Sequence, residues 1–186
     1  MVGALGGLEI GMSVAELVRK VGAPASVSSR EDEQAKWMDA GYDPGRSPFF
    51  SSDFREVLSF SEPPVPLFKA FVSGDRVIGL KFTFYGAEEA LSSAPLGFDH
   101  GCVLGALGAS AVRAFGEPEA RHLESGASRL EKLEYFDRGL SIAIEDGKIV
   151  VFDLYVPPSA IEKRRLLERI RRPAPRPASE SVAPSP

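Results

Sequence analysis

Two histidines and one cysteine are all that this 186-residue chain offers for metal or thiol chemistry. A zinc centre takes about four ligands at recognisable spacing. Asp99-His100-Gly101-Cys102 is the one local cluster of such side chains, and no second cluster completes it. A thiol–imidazole pair of Cys102 and His122 stands in no signature sequence. The lone cysteine excludes an internal disulfide framework and fits a reducing compartment, where a small buried apolar role suits it. Gly3, Gly6 and Gly7 do not follow a strand with phosphate-loop spacing. Long apolar runs are missing too: none reaches the roughly 18 residues of a membrane span, and Met1 to Leu8 has neither the cationic nor the apolar segment of a secretory signal. These absences predict a cytoplasmic protein without metal, cofactor or catalytic centre.

Hydrophobic residues make up 44% and charged residues 26%, the balance of a globular chain with one ordinary domain or two small ones. The net charge of −4 is unevenly spread. From Ser159 onward Lys163, Arg164, Arg165, Arg169, Arg171, Arg172 and Arg176 face Glu162, Glu168 and Glu180, a surplus of four positive charges that leaves −8 on the rest. An acidic body with a basic tail disfavours nucleic acid and predicts a protein partner with a basic surface.

One motif occurs twice. The segment from Gly11 to Pro24 returns in weaker form from Gly105 to Pro118, sharing Gly11/Gly105, Ala15/Ala109, Val18/Val112, Arg19/Arg113, Gly22/Gly116 and Pro24/Pro118 without a gap. A repeated supersecondary unit dictates architecture. In the first copy Ser13 and Glu16 form a capping box, Val14, Leu17, Val18 and Val21 make one apolar stripe, and Gly22 and Pro24 end the helix. The second copy keeps Ala111, Val112 and Phe115 on that face and keeps the stop, but loses the cap. Glu56 to Phe60, Leu67 to Ser73 and Arg76 to Tyr85 follow the first helix as strands. Leu133 to Phe136, Leu140 to Glu145 and Lys148 to Val156 follow the second, with Gly74-Asp75 and Asp146-Gly147 as hairpin turns. Ala87 to Ser93 reads as a short helix in the linker.

Between Trp37 and Arg55 the first copy holds material without a counterpart in the second, where turn residues and aromatics alternate in a way that predicts an irregular loop. Such a loop either covers the end of the core with its Phe residues or recognises a partner. Its recognition residues would be Trp37, Tyr42, Arg46, Phe49, Phe50 and Phe54, with Glu31, Asp32 and Glu33 alongside as a solvated acidic face. After Pro157-Pro158, Ser159 and Glu162 form another capping box, and Ala160, Leu166, Leu167 and Ile170 share one arc of a basic helix. That arc packs on the body, docks in a partner's groove or lies on an anionic surface; Arg164, Arg165, Arg169 and Arg172 form a second candidate surface. From Pro173 the Pro-, Ala- and Ser-rich composition predicts disorder.

The order Gly11-Met12-Ser13, Glu16-Leu17, Gly22 and Pro24, followed by Gly116, Pro118, Tyr135, Gly139-Leu140, Ile142 and Gly147-Lys148, resembles the small α+β unit of the BamE (SmpA/OmlA) lipoproteins. It is also similar to the beta-lactamase inhibitory protein family, a tandem duplication of such a unit, and to small bacterial immunity-type proteins. The resemblance implies a non-enzymatic assembly factor or protein inhibitor; a lipid-attachment Cys and paired cysteines are both missing here. The expected fold is therefore α+β: a first unit over 8–85, a linker over 86–101, a second unit over 102–156, a basic helix over 159–172 and a tail over 173–186. The expected function is a non-catalytic protein-binding module, an inhibitor or immunity protein. The alternatives are an adaptor acting through the C-terminal helix and a small hydrolase or metal-dependent enzyme around His100 and Cys102.

Overall fold

A computed structural model describes residues 4–5, 7–60, 67–83, 97–98, 102–124 and 130–172. The short helix expected from Ala87 to Ser93, His100 and the tail from Pro173 lie outside the described residues. The chain is α+β, with helices on an eight-stranded antiparallel sheet. We label its strands β1 (Ser26–Ser29), β2 (Glu56–Phe60), β3 (Leu67–Ser73), β4 (Arg76–Thr83), β5 (Ala120–Glu124), β6 (Leu130–Tyr135), β7 (Leu140–Glu145) and β8 (Lys148–Tyr155). Spatial order is β1-β2-β3-β4-β8-β7-β6-β5, two four-stranded meanders that meet where β4 pairs with β8. The helices are α1 (Val14–Val21), α2 (Arg30–Asp39), α3 (Pro48–Ser51), α4 (Ala109–Phe115) and α5 (Ala160–Arg171).

The repeated motif does the same job at both of its positions. The Gly11 amide donates to the Val77 carbonyl and the Gly105 amide to the Ile149 carbonyl, each at 2.7 Å. Val77 and Ile149 return the bond to Met12 and Ala106, and Gly22 and Gly116 each close a helix by donating four residues back. Gly11, Gly22, Gly105 and Gly116 all have φ between 80° and 94°, a region that a Cβ disfavours. Ser13 and Glu16 form the reciprocal capping box, whereas Gly108 starts α4 without a side-chain cap. The last hairpin of each meander also carries a register shift at the same place, Phe71/Val72 and Ala143/Ile144.

Strand alternation divides the core between the two faces. Leu58, Ala70, Leu80, Leu154, Leu140 and Tyr135 lie in register on one face, where Leu17 and Ala111 bring α1 and α4 onto it. Along α1 only Leu17 is fully buried; Val14 and Val18 are half-buried and Val21 is exposed, so the stripe is narrower than its periodicity predicts. The opposite face carries α2, α3 and α5. There Phe49 stacks on Phe71, with ring centroids 4.0 Å apart. Gly79 makes room for it, because a Cβ would lie 2.7 Å from the Phe49 ring.

Two expectations are corrected on this face. The segment from Trp37 to Arg55 is not irregular: α2 reaches Asp39, a 3-10 turn spans Pro44–Arg46 and α3 follows. Ser29 and Asp32 form a capping box that starts α2, and Asp43 caps the turn through the Gly45 amide at 2.9 Å. Edge strands β1 and β5 also stand outside the strand expectations; both are short and carry few apolar residues. In α5 the arc of Leu166, Leu167 and Ile170 packs on the body beside Phe136 and Tyr155, while Ala160 is exposed.

Candidate functional site

Charged side chains on four strands are brought by register onto the α2 face. Lys69, Lys81, Asp153, Ser141 and Glu134 form one cross-strand row, and Lys132 faces His122 in the next. Glu33 reaches in from α2 and is fully buried, accepting from Lys69 Nζ at 2.5 Å and from Trp37 Nε1 at 3.3 Å. Lys81 Nζ donates to Asp153 Oδ1 at 3.1 Å, and Lys132 Nζ sits 3.2 Å from Asp153 Oδ2. Lys132 is also 3.3 Å from Glu124 and 3.8 Å from Glu134. Burial opposes its charge, but those three carboxylates outweigh burial and hold the ammonium protonated well above its ordinary range. Ser141 bonds Glu134 and Tyr155 Oη, and burial pushes the Tyr155 hydroxyl well above its ordinary value. His122 Nε2 lies 3.1 Å from Glu134, while its buried Nδ1 has no hydrogen-bond partner.

Beside this network a groove of about 780 Å³ runs between α2, the 3-10 turn and α5. Arg30, Arg46, Arg169 and Arg172 line it, against the carboxylates of Asp43 and Glu124. Three of these cations are held by backbone carbonyls. Arg30 donates to Ser52 and Phe50, Arg46 to Arg172, and Arg169 to Gly45. A carbonyl fixes a guanidinium without cancelling its charge, so the groove is a positive concavity on a chain of net charge −4.

The expected recognition residues divide sharply. Phe49 and Phe54 are core, 1% exposed, and Glu33 is a buried ion-pair partner, not part of a solvated acidic face. Glu31 and Asp32 are exposed on α2, where Asp32 serves its capping box. Trp37, Tyr42, Arg46 and Phe50 are half-buried; Trp37 packs edge-on against Tyr42 and Phe50. Tyr42, Arg46 and Phe50 line the groove, as do Arg169 and Arg172, whereas Arg164 and Arg165 are exposed elsewhere on α5. Cys102 is fully buried on the α1/α4 side and His122 lies on the charged face, so the sheet separates the pair. Burial pushes the Cys102 thiol up to about 11, away from the thiolate. Among the described residues no three His, Cys, Asp or Glu side chains gather as metal ligands, and no helix is long and apolar enough to cross a membrane.

Lys69, Lys81, Lys132, Glu134 and Asp153 were not anticipated. For Lys69, Lys81 and Asp153 the signal was available, since each interrupts an otherwise apolar run, as in Leu67-Phe68-Lys69-Ala70-Phe71 and Val151-Phe152-Asp153-Leu154-Tyr155; Lys132 and Glu134 sit in a strand with three charged residues and carry no such signal. Comparison with protein-family models, curated proteins and solved structures finds no match for this chain.

Proposed function

We propose that this chain is a non-catalytic protein-binding module of inhibitor or immunity type, a tandem of BamE-like α+β units whose binding surface is the arginine-lined groove. The paired glycine turns and matching hairpin bulges support the tandem reading. One observation carries the functional reading: the two surfaces anticipated separately, the aromatic insertion and the basic helix, meet in one groove. Arg46 donates to the Arg172 carbonyl, and Arg169 donates to the Gly45 carbonyl at 3.0 Å. Arginine and tyrosine dominate interface energetics, and fixed cations lower the ordering cost of binding. The groove's sign selects an acidic segment of a partner, while the exposed Glu31 and Asp32 are what a basic partner would use.

Two labelled peptides separate these partners, one rich in Glu and Asp with a central Phe, the other rich in Lys with the same Phe. The acidic peptide is expected to bind, more weakly as salt rises, and to lose about tenfold or more in affinity when Arg169→Glu and Arg172→Glu are combined. Preference for the Lys-rich peptide, abolished by Glu31→Lys and Asp32→Lys, would move the surface to the outer face of α2.

A further inference from the structure

Lys69 and Lys81 stand directly opposite each other on β3 and β4. Like charges in that position repel across a strand pair, and both lysines line a neighbouring cavity of about 210 Å³ beneath α2. Each keeps part of its side chain in reach of solvent, 30% for Lys69 and 20% for Lys81. An ammonium has three donors; Lys69 gives one to Glu33 and Lys81 gives one to Asp153. The cavity's ionic lining totals four lysines, counting Lys36 and Lys132, against Glu33, Glu124 and Asp153. Glu134, 3.8 Å from Lys132 just outside the lining, balances the fourth lysine, so what Lys69 and Lys81 offer is unused donors rather than surplus charge. Trp37 and Tyr42 form an aromatic side with ring centroids 6.0 Å apart, and Lys81 Nζ lies 5.2 Å from the Trp37 ring centroid. Leu130, Ala143 and Val151 supply an apolar floor.

We infer that the cavity beneath α2 binds a small monocarboxylate with a flat apolar body, its carboxylate bridging Lys69 and Lys81 and its body lying between the aromatic side and the apolar floor. A carboxylate between the two ammonium groups takes up donors that Glu33 and Asp153 leave free and relieves the repulsion between the facing lysines. The volume falls below the 300–1,000 Å³ of drug-sized sites, which limits the ligand to roughly one ring. This cavity adjoins the arginine groove, sharing Tyr42 and Glu124 with it, and the inference does not rest on the role proposed for the groove.

Trp37 is the single tryptophan, so intrinsic fluorescence reports this cavity. Benzoate is expected to change its emission saturably, while benzylamine and benzyl alcohol, which share the ring but not the charge, produce no saturable change. Lys81→Gln is expected to weaken benzoate by about tenfold or more. Because that change leaves Asp153 with one cation fewer, Ala143→Leu serves as the second variant: it fills the floor and is expected to abolish the response in a chain whose circular dichroism is unaltered. Equal responses to all three ring compounds, a full benzoate response in folded Ala143→Leu, or orthophosphate binding as tightly as benzoate would each overturn the inference.

Discussion

Glu33 shows what one side chain does when the surrounding chain gives it no exit. It sits on a polar helix, yet it is buried, and it holds Lys69, Lys36 and the Trp37 indole together. Breaking a buried ion pair from one side costs more than the pair contributes, because the remaining charge loses its partner. Lys69 is partly exposed, which tempers the cost. Glu33→Ala is expected to destabilise the fold by about 2 kcal/mol in urea unfolding, and Glu33→Leu with Lys69→Met by clearly less than the two single changes summed. Strict additivity would show that the pair is not coupled. On the opposite face Leu17 is wholly buried, and Leu17→Ala should cost roughly 2 to 5 kcal/mol. Gly139 is a third such point: with φ 66° its added Cβ would lie 2.1 Å from the Tyr155 carbonyl oxygen, so Gly139→Ala should lower the melting temperature strongly.

Helices α1 and α5 announce themselves in the sequence because an apolar stripe and a capping box coincide in each. Helix α2 does not, although Ser29 and Asp32 spell the same box. Glu33 holds it to the sheet through its ion pair with Lys69, and Trp37 through Lys81, whose ammonium lies over the indole ring, and hydrophobic periodicity is blind to such an anchor. Helix α5 is polar over most of its surface and docks through Leu166 and Ile170. Leu166→Ala is therefore expected to raise hydrogen exchange along α5 well before α1 responds, whereas Arg164→Ala and Arg165→Ala, both at exposed positions, should leave exchange unchanged. Uniform acceleration in both helices would mean that α5 unfolds only with the whole sheet.

Over the whole molecule the buried acids set an alkaline limit. Burial pushes Cys102 up to about 11 and Tyr135 up to about 12, and raises Tyr155 well above its ordinary value. Each keeps its proton in the folded chain at a pH where the unfolded chain has released it, so the folded state binds more protons and stability falls as pH rises. The loss begins near the ordinary Cys value of 9.0 and steepens past the Tyr value of 10.0. Lys132, raised above its ordinary 10.5, works in the same direction, its contribution complete below that value and lost as pH climbs through the raised one. Melting temperature measured from pH 7 upward should hold and then decline from about pH 9, and Cys102→Ala should delay that onset towards pH 10. A flat profile to pH 11 would contradict it.

Local units were legible along the chain: the two Gly-terminated helices, the hairpin turns, the α+β class and six of the eight sheet strands. Each of these is encoded by residues within a few positions of one another, so periodicity, caps and turn chemistry suffice to read them. Long-range packing joined both meanders into one sheet through β4 and β8, folded the aromatic insertion as α2 and α3 over its charged face, and brought Arg46 to Arg172. It also turned Phe49, Phe54 and Glu33 from candidate contacts into interior groups. The physical reason is register: Lys69, Lys81 and Asp153 lie far apart along the chain, and their adjacency exists only once three strands have aligned.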